Sequence, residues 1–238
     1  MQTTAYTFDK LYPHTGASAI HNGTVVSTDG NINWLGPADQ CPCPPLYIGG
    51  TALPGFIDSH VHFTATGLDL LALNAGEFSR IADLLAAIGQ LADRGEGLVR
   101  VWGFEPDNYR ERRNPTLAEL DKACPHNLLW INTIDCHGTL INSKSLQALR
   151  LSRTQSLLVG EDNQRARNLF LSTISIQERE QAILAAADLA ISRGVTTLHA
   201  LEGGSLFHNR DVEAVMALQH RLPVNIVVYP QVLDVQWA

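Results

Sequence analysis

The sequence predicts an α/β chain: a small antiparallel β unit over residues 1–50, then strands alternating with helices over residues 51–238. Three observations predict it. Asp29-Gly30 separates two strand-like runs at 24–28 and 31–35. Beyond Gly50, short apolar runs alternate with segments of helical periodicity. Two of the helical segments open on Ser/Thr-x-x-Glu, the sequence of a capping box. Such alternation implies a parallel sheet covered by helices, either open or closed into a (β/α) barrel.

The elements follow in order. Asp-Gly suits a two-residue hairpin because both turn positions need φ > 0. Ile32 and Trp34 fall on one face of the second strand. Cys41-Pro42-Cys43-Pro44-Pro45 is a connector, since three prolines remove amide donors from any ladder. A short strand at 46–48 follows it. The later strand candidates are 53–57, 98–102, 128–133, 195–199 and 224–229. Ile81, Leu84, Leu85, Ile88 and Leu91 share a helical face, with Gly95 expected to close that helix. Thr116 with Glu119, and Ser175 with Glu178, are the capping boxes. The second opens the longest helix, 176–193, which Gly194 ends at the C′ position. A further helix is expected over 211–221.

Composition narrows the function classes. With 45% hydrophobic and 17% charged residues, the chain is an ordinary globular sequence that can bury a sizeable core. A net charge of −7 opposes nucleic-acid binding through a global basic field. No apolar run approaches the roughly 18 residues of a membrane helix. The best stretch, 182–191, carries Asp188. The opening residues lack the basic start and apolar stretch of a signal peptide. Four cysteines are not a disulfide framework, and Cys41 and Cys43 flank a single residue rather than two. The expectation is a soluble, cytoplasmic chain with free cysteines.

The strongest chemical signal is Asp58-Ser59-His60-Val61-His62. Alternation along a strand puts His60 and His62 on one face, with Asp58 in the same parity. The pair lies at the C-terminal end of an apolar strand, the end that carries active sites in parallel α/β folds. Two imidazoles about 7 Å apart along a strand can turn onto one zinc-sized ion. A cupin-like β-barrel also uses H-x-H, but it needs a Glu a few residues later. The next acidic residues here are Asp69 and Glu77, and the helical patterns oppose an all-β fold. Glu105 and Asp107, after the second strand candidate, read as a solvated loop, and the charged run Arg110 to Arg113 as solvated surface.

The segment LPGFIDSHVHFTATG, residues 53–67, resembles the opening of the amidohydrolase superfamily barrel. Arg113-Asn114-Pro115-Thr116 with Leu120-Asp121 is similar to a stretch of its amidohydrolase-3 (YtcJ-like) branch. So are Asp135-Cys136-His137 with Ile141-Asn142-Ser143-Lys144-Ser145-Leu146, and Gly194-Val195-Thr196-Thr197-Leu198-His199. The resemblance implies a TIM-type (β/α) barrel of metal-dependent hydrolases, of which residues 51–238 would be the first part, with about five strands. Residues 1–50 would be the N-terminal part of a composite β-sandwich. It further implies hydrolysis of non-peptide carbon–nitrogen bonds in a small-molecule substrate, with a divalent metal, zinc, on His60 and His62. His137, just past the third strand candidate, and His199, ending the fourth, become candidate substrate-binding residues. Ala200 stands where the branch often has Asp.

The family's later elements are missing. An eight-stranded barrel takes about 250 residues, and five strand candidates occupy residues 51–238. There is no His-Ala-x-Gly-Asp-like stretch and no late strand ending in the metal-binding Asp that serves as base, so the catalytic residue is unassigned. Lys10, Lys122 and Lys144 are the only lysines, and none ends a strand candidate. The expectation is a truncated or split member, with a non-catalytic fragment or weakly metal-binding pseudoenzyme as the alternative. Five unclosed strands would leave an edge and apolar faces that call for an oligomer or a complementing chain.

Overall fold

A computed structural model describes residues 1–95, 97–204 and 208–231. It divides into two compact units, with the boundary between Phe56 and Ile57.

The first unit is one sheet of β1 (Thr3–Leu11), β2 (Ile20–Thr28), β3 (Asn31–Pro37), β4 (Leu46–Tyr47) and β5 (Thr51–Ala52). Its order is β3-β2-β1-β4, with β5 also beside β1. The Asp29-Gly30 turn is as expected: φ is 49° and 82°, and Thr28 pairs with Asn31. β1 was not expected. Its inward positions are Ala5, Thr7 and Leu11, too weakly apolar to mark a strand. The buried Thr7 and Thr24 hydroxyls bond each other at 2.6 Å, which satisfies both.

The second unit holds β6 (Phe56–Val61) from Ile57 on, then α1 (Phe63–Leu70), β7 (Leu73–Asn74), α2 (Ile81–Ala92) and β8 (Leu98–Phe104). Then come α3 (Leu117–Ala123), β9 (Leu128–Thr133), β10 (Gly138–Leu140), α4 (Ser143–Leu149), β11 (Leu157–Val159) and α5 (Gly160–Thr173). It ends with α6 (Ile176–Ser192), β12 (Val195–Glu202), α7 (Asn209–Leu218) and β13 (Asn225–Pro230).

These strands form two sheets and no closed barrel among the described residues. One sheet has the order β11-β10-β9-β8-β7, the other β13-β12-β6. β7, β8 and β9 run parallel, as do β12 and β13, whereas β10 and β11 add antiparallel to β9. The described residues form four apolar clusters, and the two largest lie against the two sheets. Ile81, Leu84 and Ile88 of α2 pack on Val99, Val101, Leu129 and Ile131. Each such buried side chain contributes about 2 kcal/mol. Phe63, Ile183, Ala187 and Val215 pack on Leu198 and Ala200.

Both capping boxes form, at Thr116–Glu119 and Ser175–Glu178. Several boundaries differ from the sequence reading, three of them for a plain local reason. The strand expected at 53–57 begins at Phe56, because Pro54-Gly55 interrupts the apolar run. α2 ends at Ala92, and the Gly95 carbonyl accepts from Asn127 Nδ2 at 2.6 Å instead of closing the helix. α7 starts at Asn209, where His208 Nδ1 accepts the Arg210 amide at 3.2 Å and Asp211 completes the box. Among the described residues, no helix is long and apolar enough to cross a membrane.

Candidate functional site

β6 carries His60 near its C-terminal end, and His62 is the N-cap residue of α1. Chain direction changes there, at the end of a strand. Val61 packs into the helix-covered core, which turns His60 to the opposite face, where it is exposed. The two imidazoles lie edge to face with centroids 5.3 Å apart and planes at 88°. Two imidazoles on one tetrahedral ion, with Zn–N near 2.0–2.1 Å, place their centroids about 5 Å apart. The pair therefore has the separation that a shared ion requires.

His62 is oriented from outside its own segment. Its Nδ1 lies 2.9 Å from the Leu201 carbonyl oxygen in β12. A carbonyl only accepts, so Nδ1 carries the proton and Nε2 the lone pair. That is the tautomer arrangement of metal-ligating histidines. Asp58 takes a local role: its Oδ1 accepts the His60 amide at 3.1 Å.

The other two expected site residues are placed apart from a metal-type cluster. Among the described residues, no group of three His, Cys, Asp or Glu side chains could hold a metal ion. Neither His137 nor His199 joins His60 and His62 in such a group. His137 lies in the exposed loop after β9, where its amide donates to Asp135 Oδ1 at 2.9 Å. Asp135 is held below the usual carboxylate range by its bonds to the Thr133 hydroxyl and the His137 amide. The following helix, α4, is capped by Asn142, whose Oδ1 accepts the Ser145 amide at 3.0 Å, and not by His137.

His199 sits in β12 on the face opposite the buried Leu198 and Ala200. Its ring stacks on Tyr229 of β13, with centroids 5.5 Å apart, and Nδ1 lies 3.1 Å from the Tyr229 hydroxyl. The sequence reading missed Tyr229. Cross-strand pairing of His199 with Val227 puts Tyr229 two residues along the same face, and no short-range pattern carries that register.

It also missed Glu202. This carboxylate is 1% exposed and ends β12. Burial pushes it up to about 7, against the Thr64 amide that donates to it at 3.0 Å. A signal was available, since Leu198, Ala200 and Glu202 share strand parity and a Glu on an apolar face is unusual.

The fold resembles that of two solved structures. A metal-dependent hydrolase from Pyrococcus furiosus superposes with a TM-score of 0.73 at 17% identity, over 96% of this chain and 50% of that one. One from Pyrococcus horikoshii gives 0.72 at 18%, over 96% and 48%. In sequence, the chain is 24% identical to Protein LONG AFTER FAR-RED 3 of Arabidopsis thaliana over 212 residues, 82% of this chain and 36% of that protein. It is 31% identical to an N-substituted formamide deformylase of Arthrobacter pascens over 103 residues, 41% of this chain and 19% of that protein. The chain thus spans about half the length of the matched structures and less of the curated relatives. The amidohydrolase family, Amidohydro_3, matches residues 48–237, most of the chain and all of the site. By the extent of that match, the chain belongs to the amidohydrolase family.

Proposed function

We propose that this chain is the metal-binding front portion of a hydrolase acting on carbon–nitrogen bonds of a small, non-peptide substrate. One observation carries the reading: His60 and His62 lie 5.3 Å apart at the end of β6, with His62 oriented by the Leu201 carbonyl. The family supports hydrolysis, and the name of the Arthrobacter relative supports an amide-type bond. Zinc suits two neutral imidazoles, and a divalent cation there would supply Lewis-acid polarisation of a carbonyl. His60 and His62 would hold it. His199, braced by Tyr229, and His137 on its exposed loop would contact substrate. A cytoplasmic setting fits the four free cysteines.

Two ligands fall short of the three protein ligands usual in a catalytic zinc site. The remaining donors would come from outside the described residues, and a second copy or a complementing polypeptide fits the sheet edges. β6 and β13 each end a sheet, and Ile57, Val227 and Tyr229 are 64%, 43% and 46% exposed. The same shortage favours a second reading, a non-catalytic chain that binds metal weakly.

Elemental analysis together with native mass, on one purified sample, tests both. About one zinc per chain in a defined oligomer, lost in a His60→Ala/His62→Ala double variant, is the expected result. Metal retained by the double variant would overturn the site. Metal-free wild type that stays monomeric would leave the second reading standing.

A further inference from the structure

α1 is a helix that lacks the local means to fix its own start. It has eight residues, and isolated helices under about 12 residues are marginal in water. Its N-cap residue, His62, makes no side-chain cap, and its backbone, at φ −93° and ψ 83°, is neither helical nor extended. The first amides of a helix have no partner within it. Thr64 is 0% exposed, so bulk water does not reach its amide.

The partner comes from β12. Glu202 Oε1 accepts the Thr64 amide at 3.0 Å, and the Phe63 amide also reaches this carboxylate. Glu202 is anchored in turn. Its carbonyl accepts the Gln231 amide at 2.7 Å just past β13, and Gly203 and Gly204, at φ 79° and 76°, turn the chain away directly after it. An Asn, Asp or Ser at the N-cap itself is the ordinary solution to a helix start. Here an imidazole occupies that position, and the cap is a carboxylate buried to 1% exposure on a strand 138 residues away. Burying such a group is costly, so its placement calls for more than an ordinary helix start.

The residue before Glu202 holds the imidazole, since His62 Nδ1 lies 2.9 Å from the Leu201 carbonyl oxygen. Successive residues of one strand thus grip one segment at two points. The second grip depends on the first, because a displacement of α1 by about 1 Å would take Nδ1 out of hydrogen-bond range. Of the two imidazole tautomers, only the one protonated on Nδ1 puts the lone pair on Nε2.

We propose that Glu202 is a positioning residue for His62: by holding the first turn of α1 against β12, it keeps Nδ1 on the Leu201 carbonyl and so presents Nε2 as the metal-binding nitrogen. Its effect on metal rests on reading the histidine pair as a metal site, whereas its effect on the tautomer does not.

Two measurements on the full chain separate these effects. Nitrogen-15 NMR of the metal-free protein at pH 8 reads which ring nitrogen of His62 carries the proton, with His62→Gln identifying its signals. Wild type is expected to show Nδ1–H. Glu202→Met has nearly the same shape but no acceptor, and should give a mixture of tautomers. Glu202→Gln keeps an acceptor for Thr64 and should retain Nδ1–H. So should Leu120→Ala, which destabilises the chain from a different apolar cluster, whereas a mere loss of stability would act alike in both. Should Glu202→Met fold poorly, Glu202→Asp keeps the charge but withdraws it by one methylene, and should shift the tautomer likewise. In the second measurement, zinc titration, Glu202→Met should bind about 10–100-fold more weakly than wild type and Glu202→Gln within about threefold of it. Wild-type His62 protonated on Nε2, or Nδ1–H retained when the acceptor is removed, would overturn the proposal. So would equal zinc affinity of wild type and Glu202→Met. The expected tautomers in a wild type that binds no zinc would uphold the positioning role and remove the metal reading.

Discussion

The Glu202 carboxylate at the end of β12 accepts the Thr64 amide in the first turn of α1, at 3.0 Å and across 138 residues of chain. The contact ties the helix that follows the histidine pair to the strand that orients His62. A helix N-terminus favours negative charge, which pulls the carboxyl down. Burial outweighs that, and nearby Asp211 adds to the upward push, so Glu202 titrates at about 7 against an ordinary value of 4.5.

The sign of the pH effect follows. A folded-state value above the unfolded one means that the native chain holds this proton to higher pH. Stability is therefore undiminished by Glu202 below about pH 4.5 and falls as pH rises through 7, by on the order of 3 kcal/mol. Glu202→Gln keeps an oxygen for Thr64 but carries no charge. Urea unfolding of both proteins at pH 5 and pH 8 is expected to show the variant gaining on wild type at the higher pH. Asp69 contributes in the same direction between about 4 and 6, but it is common to both proteins and cancels in the difference. Parallel pH profiles would refute the role given to Glu202.

α1 meets α6 at Gly67. A Cβ built there would lie 1.9 Å from the Ala182 carbonyl oxygen, which is backbone and cannot rotate away. Gly67→Ala must therefore separate the helices. It should cost about 1–3 kcal/mol or more, although alanine is the better helix former. Because His62 is the N-cap residue of α1, the same shift should also weaken the metal binding proposed for the histidine pair. Denaturation and zinc titration of the variant check both effects. Unchanged values would mean that the helices do not approach at this point.

The parts of the fold written in local pattern were legible in the sequence. Asp29-Gly30 specifies its turn by backbone conformation, and Thr116, Ser175 and Gly194 mark helix ends through residues within one turn. That His60 and His62 lie close together follows from their spacing, although only His60 is in the strand and His62 is already the N-cap residue of α1. What depends on distant partners was not legible. α1 has no cap of its own and takes Glu202 from β12. α5 reads as polar, GEDNQRARNLFLST, yet buries Arg167 and Phe170 against elements before it in the chain. The placement of β6 beside β12, which brings the Leu201 carbonyl to His62, is a pairing across about 140 residues that no window of sequence contains.

Arg179 and Asp211 form an ion pair at 2.7 Å that is 0% and 1% exposed. The guanidinium also donates from Nη2 to the Leu171 carbonyl at 2.7 Å and from Nη1 to that of Ile174. The pair thus joins α6 to α7 and to the end of α5. Asp211→Ala leaves a buried guanidinium uncompensated and is expected to cost about 3–5 kcal/mol. An Arg179→Met/Asp211→Leu double variant removes both charges and should cost less than the single one, despite losing more hydrogen bonds. Unfolding free energies of the two variants check the order. A double variant less stable than Asp211→Ala would mean that the carbonyl contacts of Arg179, and not charge compensation, dominate.

Gly194 ends the long helix α6 with φ of 74°, and its amide donates to the Ile191 carbonyl at 2.9 Å. The left-handed conformation is what lets the chain leave the helix and enter β12 at once, one residue before the strand that carries His199 and Glu202. A side chain with a Cβ meets the carbonyl oxygen in that conformation, at roughly 1–2 kcal/mol per residue, and a β-branched one suffers most. Gly194→Val should therefore lower the melting temperature clearly, and Gly194→Asn much less, because Asn tolerates the left-handed region. The contrast between the two is the informative quantity. A general intolerance of side chains at this exposed position would penalise both alike, whereas a conformational requirement separates them.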